Sequence, residues 1–184
     1  GNERQAYRKR HLVPFGEYFP VPPAVREWMK MQNLPHSDLA KGADIQPLLT
    51  AADGTQFGVV ICYEDAYGAE QLYALPDAGL LINVSNDAWF GDSIAPHQHL
   101  EIARMRSLEF GRPTVRSTNT GISAFIGADG ELLQTGKQFT AELMTANVRP
   151  YRGMTPYAAS GNWPIVGLCL IILGLFWIRD RASI

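Results

Sequence analysis

The sequence predicts an α/β (α+β) layered domain followed by a transmembrane helix, and three observations carry that prediction. Short apolar or β-branched runs alternate with helical stretches in the first part of the chain, and later such runs follow one another directly. Ala128-Asp129-Gly130-Glu131 is an Asp-Gly hairpin turn lying among the later runs. Residues 157–178 form a stretch of 22 without a charge, enough for a helix that crosses a bilayer.

Residues 7–20 start with three basic side chains, Arg8, Lys9 and Arg10, and pass through an apolar piece. They then turn at Pro14 and Gly16 beside a carboxylate, Glu17. This reads either as a solvated basic edge or as a lysine held near a cleft. Residues 21–50 open rich in proline, with a short helix expected over 24–31. There Trp28, Met29, Met31 and Leu34 are suited to cover a site or touch a lipid surface. Strands are expected over 56–62, 80–85, 114–117, 123–126, 131–135 and 141–148, and helices over 68–75 and 97–111. Val59, Val60 and Ile61 make the kind of run that is buried on both faces of a sheet. In the longer helix Leu100, Ala103, Ser107 and Leu108 share one face.

At the C-terminus, residues 163–178 are apolar throughout, with Trp163 and Trp177 near the two ends, Pro164 in the first turn, and Arg179 and Arg181 directly after. An apolar circumference this complete is hard to bury in a small domain, so a span is preferred to a core helix. The arginines place that end in the cytoplasm and the folded domain on the other side. The organisation expected is a domain over 1–156, a span over 157–178 and a cytoplasmic tail over 179–184.

Composition removes several classes. Lys and Arg number 16 against 18 Asp and Glu, a net charge of -2, so no basic field points to nucleic acid. Cys62 and Cys169 lie at a strand end and in the apolar run, which speaks against a disulfide, and no cysteine–histidine spacing resembles a zinc site. His97 and His99 lack a third ligand. The chain begins at Gly1 without a methionine and is expected to be the tail of a longer protein.

Cys62 closes the strand of 56–62 and is followed by Tyr63, Glu64, Asp65 and Gly68. A thiol at a strand end is rigidly held yet can face a cleft, which suits a nucleophile; a buried cysteine can equally be a small core hydrophobe. A second strand end, 83–98, carries Trp89, Phe90 and Gly91. Loops of this kind commonly hold sites in α/β sheets. The aromatic pair is either a packed corner or the lining of an apolar substrate channel.

Five motifs together resemble the bacterial apolipoprotein N-acyltransferase family, nearly over the whole chain and in that family's order. They are Lys9-Arg10-His11-Leu12-Val13-Pro14-Phe15-Gly16-Glu17-Tyr18, Ile61-Cys62-Tyr63-Glu64, Ser85-Asn86-Asp87-Ala88-Trp89-Phe90-Gly91, Ala103-Arg104-Met105-Arg106 and Arg116-Ser117-Thr118-Asn119-Thr120-Gly121. The resemblance implies a nitrilase-like four-layer α-β-β-α sandwich joined to membrane helices, with a Glu-Lys-Cys triad; no cofactor or metal is expected. It makes Cys62 the nucleophile and Lys9 the triad lysine. Glu17, Glu64 and Tyr63 become supporting residues, and Trp89 and Phe90 pocket or lid residues. The family's general base lies several dozen residues before the lysine. Only eight residues precede Lys9 here and Glu3 is too close, so that glutamate and most membrane helices are expected in a part of the protein outside this sequence.

The activity implied is two-step acyl transfer from a phospholipid, through a Cys62 thioester, to the N-terminal amine of a diacylglyceryl apolipoprotein. The setting implied is the bacterial cytoplasmic (inner) membrane, with the catalytic domain on the periplasmic side. An ammonium such as Lys9 favours the thiolate. With the Tyr63 N–H it suits a tetrahedral oxyanion. Three alternatives remain: a nitrilase-superfamily amidase, a membrane-tethered binding domain with a structural Cys62, and a Cys-His hydrolase using His11, His97 or His99.

Overall fold

A computed structural model describes residues 4–32 and 39–182. Leu34 and Glu3, named above, and residues 183–184 of the expected tail lie outside the described residues. The elements in chain order are α1 (Pro23–Met31), β1 (Leu49–Thr50), β2 (Gln56–Ile61), a 3-10 turn (Cys62–Ala66) and α2 (Gly68–Gln71). There follow a second 3-10 turn (Leu72–Ala74), β3 (Leu80–Ser85), a third 3-10 turn (Asp87–Phe90), α3 (Ala95–Phe110), β4 (Thr114–Thr118), β5 (Ala124–Ile126), β6 (Leu132–Thr135), α4 (Pro156–Ser160) and α5 (Trp163–Ala182).

The six strands form one mixed sheet in chain order, β1-β2-β3-β4-β5-β6. β2, β3 and β4 are parallel, with Val60 opposite Asn83 and Asn83 opposite Arg116. β1 and the pairs β4–β5 and β5–β6 are antiparallel. The parallel trio is joined by helical crossovers, as parallel strands require. Its carboxyl ends, at Ile61, Ser85 and Thr118, therefore open along one edge. Among the described residues this is the only sheet.

Burial alternates along the strands. Val60, Leu81, Asn83, Thr114, Arg116, Ala124 and Ile126 point into the core. There Leu100 and Ala103 of α3 pack with Ile122, Ala124 and Ile126. The opposite face, with Val59, Ile61, Ile82 and Val115, is half-buried and Val84 is exposed. The expectation that Val59–Ile61 is covered on both faces is thus met on one face only. α3 ends where Gly111 takes φ +59, a left-handed cap that suits glycine. Arg112 follows it, fully buried, and donates to the carbonyls of Ala78, Pro76 and Gly153.

Three expectations are corrected. Residues 141–148 form no strand, because β6 pairs only with β5 and the segment joins no ladder. Leu108 is 51% exposed. The buried face of α3 runs instead through Pro96, His99, Leu100, Ala103, Ser107 and Phe110. The apolar C-terminal helix begins at Trp163, not Tyr157. The uncharged flank before it forms α4, with Ala158 buried and Tyr157 stacked near Phe110 of α3, and Gly161 at φ +57 breaks the two helices apart. α5 itself is long and apolar enough to cross a membrane over Trp163–Arg181, with none of that window buried.

Candidate active site

β2 delivers Cys62 to the sheet's carboxyl edge and then stops abruptly. Cys62 has φ +51, the left-handed region that side chains with a Cβ rarely adopt. The chain reverses there into the 3-10 turn, so the thiol leaves the strand axis and faces a cavity of about 730 Å³. Glu17, Tyr63, Trp89, Phe90 and His99 stand in its wall, with Val13, Ile61 and Ile102 supplying apolar surface. Strand ends of parallel sheets are where ligand crevices form.

The basic segment comes to the same cavity. Lys9 Nζ lies 2.7 Å from both Glu17 oxygens, in a pair whose side chains are 10% and 24% exposed. The Pro14–Tyr18 turn makes this possible: Glu17 N–H and Tyr18 N–H both return to the Val13 carbonyl, and Val13 N–H donates to Glu17 Oε2 at 2.8 Å. Glu17, which stands in the cavity wall, is thus brought beside Lys9 by the turn at Pro14 and Gly16.

Glu64 does a different job from Glu17. It is 2% exposed and accepts from Ile61 N–H at 2.7 Å, His11 N–H at 3.2 Å, the Tyr7 hydroxyl at 3.1 Å and the Arg10 N–H. One carboxylate therefore fastens the segment carrying Lys9 to the strand end carrying Cys62. Burial and the Glu64 charge push the Tyr7 hydroxyl far above its usual range, so it remains a donor. Tyr63 lines the cavity and accepts a 2.9 Å hydrogen bond from Tyr67. Trp89 is 76% exposed at the rim and Phe90 39%; Phe90 stands edge-on to His99. Neither is a packed corner.

Beneath the Cys62 turn lies a cluster that inspection of the sequence missed. His99 Nδ1 is 3.0 Å from Asp87 Oδ1, and its Nε2 is 3.3 Å from the Cys62 carbonyl. Arg116, fully buried, reaches Asp87 at 3.1 Å, Asp65 at 3.3 Å and Asn83 at 2.6 Å. Asn83 donates to Asp65 at 2.6 Å and Ser85 to Asp87 at 2.6 Å. A Cβ at Gly121 would overlap the Asp87 carboxylate. The available signal was Asn83 and Arg116, polar residues at inward positions of apolar strands; only the pairing register shows that they face each other. His97 is exposed, and among the described residues no group of side chains is arranged to hold a metal.

Through Nε2, His99 holds the Cys62 backbone, which makes it a candidate positioning residue. His99→Leu is expected to lower kcat by about tenfold or more, the worth of a buried charge-assisted hydrogen bond, with KM nearly unchanged. Steady-state kinetics of the full-length protein check this. A rise in KM at constant kcat would mean that His99 contacts substrate instead.

The two acids titrate in opposite senses. Burial pushes Asp65 up to about 6, against the pull of Arg116 and His99. Its contribution to stability is complete below about pH 4, where it is protonated in both states, and is lost as the pH rises through about 6. Burial also raises Asp87, but hydrogen bonds from His99 and Ser85 and the Arg116 charge outweigh it and hold the carboxyl below its ordinary range. That contribution is present above about pH 4 and is lost on further acidification. Asp65→Asn is therefore expected to flatten the decline in thermal stability between about pH 4 and 6; an unchanged profile would show that Asp65 does not set it.

Residues 1–156 match the carbon-nitrogen hydrolase family. The chain belongs to that family. Among its relatives, the apolipoprotein N-acyltransferase of Methylococcus capsulatus is 47% identical over 177 residues, covering 96% of this chain and 35% of that protein. The apolipoprotein N-acyltransferase of Haemophilus influenzae is 45% identical, covering 100% of this chain and 36% of that protein. The chain thus spans about a third of the length of these curated relatives. A carbon-nitrogen hydrolase from Helicobacter pylori shares the fold, with TM-score 0.50 and 21% identity over 74% of this chain and 48% of that one. The sheet with α3 on one face is this family's mixed α/β arrangement, in agreement with the nitrilase-like fold expected from the motifs.

Proposed function

We propose that this chain is the nucleophile-bearing part of a membrane acyltransferase, moving a fatty acyl chain from a phospholipid through a Cys62 thioester to the N-terminal amine of a diacylglyceryl apolipoprotein. The observation that carries this reading is the cavity. Cys62 opens onto about 730 Å³ with apolar walls and an exposed tryptophan at the rim, a space that accommodates a hydrocarbon chain. The names of the relatives support it, as does α5, which is long enough to span a bilayer.

In the first step the Cys62 thiolate attacks the ester carbonyl. The Lys9 ammonium and the Tyr63 N–H are the donors this reading assigns to the resulting oxyanion. The C–O bond then breaks, and the lysophospholipid alkoxide leaves with the proton that the base had taken from the Cys62 thiol, giving a thioester. In the second step the lipoprotein amine attacks the thioester, its proton passes to a base, and the amide departs as the thiolate is restored. Glu17 keeps Lys9 in place, and Glu64 keeps the Lys9 segment against the Cys62 turn. The general base is a glutamate upstream of Lys9. The open apolar face of the sheet receives the second sheet of the sandwich, from the same upstream part. α5 spans the bacterial cytoplasmic membrane with Arg179 and Arg181 inside and the catalytic domain on the periplasmic side.

Hydrolysis of small amides is the second reading, favoured by the family to which residues 1–156 belong. Incubating the full-length protein with phospholipid or with a short-chain amide separates the two. The acyltransferase reading expects one lysophospholipid released per Cys62 acylated, and no ammonia release above that of Cys62→Ser. Ammonia release dependent on Cys62, without lysophospholipid, would establish the amidase.

A further inference from the structure

Asn86 stands in the wall of the Cys62 cavity and is exposed, one residue past β3. No step of the reaction described above uses it. Ile61 lies opposite Val84 in the parallel pair of β2 and β3, so Cys62 and Asn86 leave neighbouring strands one and two residues later. Such strands run about 4.8 Å apart, which makes Asn86 a close neighbour of the nucleophile. Its amide is held in one orientation. Asn86 Oδ1 accepts from Ala88 N–H at 3.2 Å and from Asn119 Nδ2 at 2.7 Å. A backbone N–H can only donate, so the atom that meets Ala88 is the oxygen and the other end of the amide is the NH2 group. Asn119 is fixed in turn, because its own oxygen accepts from Asp87 N–H at 3.0 Å and Thr120 N–H at 2.8 Å. The oxygen of Asn86 is thus tied to the protein, and among the described residues its Nδ2 group has no hydrogen-bond partner.

An uncharged donor in a largely apolar wall suits an uncharged acceptor such as an ester carbonyl, whereas a phosphate calls for a cation. The reacting carbonyl is already assigned to Lys9 and the Tyr63 N–H. A diacyl phospholipid, however, carries a second ester on the adjacent glycerol carbon. We propose that Asn86 Nδ2 donates to the carbonyl oxygen of that second, unreacting ester and so holds the reactive ester over Cys62. The proposal rests on the acyltransferase reading and deepens it: the acyl donor is selected as a diester glycerolipid. Anchoring one ester fixes the other through the glycerol, which favours attack. A site built to bond a carbonyl discriminates against a lipid that lacks it.

The test measures single-turnover formation of the Cys62 thioester in the full-length protein, in mixed micelles at subsaturating lipid. Diester phosphatidylethanolamine is compared with the monoether analogue that keeps the reactive ester and replaces the other by an ether. Wild-type protein is expected to react about fivefold faster with the diester, the worth of one neutral hydrogen bond. That preference is expected to vanish in Asn86→Ala. Asn86→Asp keeps the oxygen that meets Ala88 and Asn119 and exchanges only the donor for an acceptor, and the preference is expected to vanish there too. Any slowing by the new charge, or by a disturbed turn, acts on both lipids alike, so the ratio between them isolates the bond to the second ester. No preference in the wild type, or a preference kept in both variants, would overturn the role of Asn86 while the thioester itself upholds the acyltransferase. Wild-type protein that forms no thioester from the diester counts against the acyltransferase reading, and the role of Asn86 falls with it.

Discussion

Exchange of Lys9 for methionine is expected to slow acylation of Cys62 by about 100- to 1,000-fold, the usual consequence of removing one donor to a developing oxyanion. The ammonium is the cation tied to the cavity wall, fixed at 2.7 Å from Glu17. Methionine retains much of the apolar stem and removes only the charge, so the fold is expected to persist. The variant leaves Glu17 without its cation in a setting 24% exposed, enough water to keep that cost small. The check is the single-turnover rate of thioester formation in the full-length protein. A rate within about twofold of wild type would show that Lys9 does not act on the oxyanion.

Arg116→Met is expected to have the largest effect on stability. The guanidinium is fully buried between Asp65 and Asp87, and its removal leaves two buried acids facing each other across Asn83. Breaking a buried ion pair from one side typically costs about 3–5 kcal/mol. The Cys62 turn is expected to loosen as well, since His99, which bonds the Cys62 carbonyl, is held by Asp87. The expected results are a lower midpoint in denaturant at unchanged m and slower thiol alkylation. Arg116→Lys keeps the charge but not the planar fork, and is expected to fall between. Wild-type stability in Arg116→Met would mean that the two acids are protonated or otherwise satisfied, and the cluster would lose its positioning role.

What was legible in the sequence was local. The β2 run ending at Cys62, the long helix after Pro96 and the Asp-Gly turn before β6 each carry their own short-range pattern, and all appear in place. Two-residue β1 has no such pattern, and residues 141–148 have an extended composition without a neighbouring strand to pair with. The Lys9–Glu17 contact was readable because Pro14 and Gly16 fold eight residues into one turn. The cluster of His99, Asp87, Arg116 and Asp65 was not. Its members are spread from 65 to 116 and meet only through the parallel register of β3 and β4 and the buried face of α3. Leu108, apolar but exposed, displaced His99 from the expected core face because composition cannot tell which side of α3 meets the sheet.

The central claim is that Cys62 carries an acyl group. It is tested most directly by the intact mass of the full-length protein purified from membranes, beside Cys62→Ser. The account predicts a mass increase equal to one fatty acyl group, removed by hydroxylamine and absent from the variant. Folded wild-type protein that gains no adduct after incubation with phospholipid would contradict it.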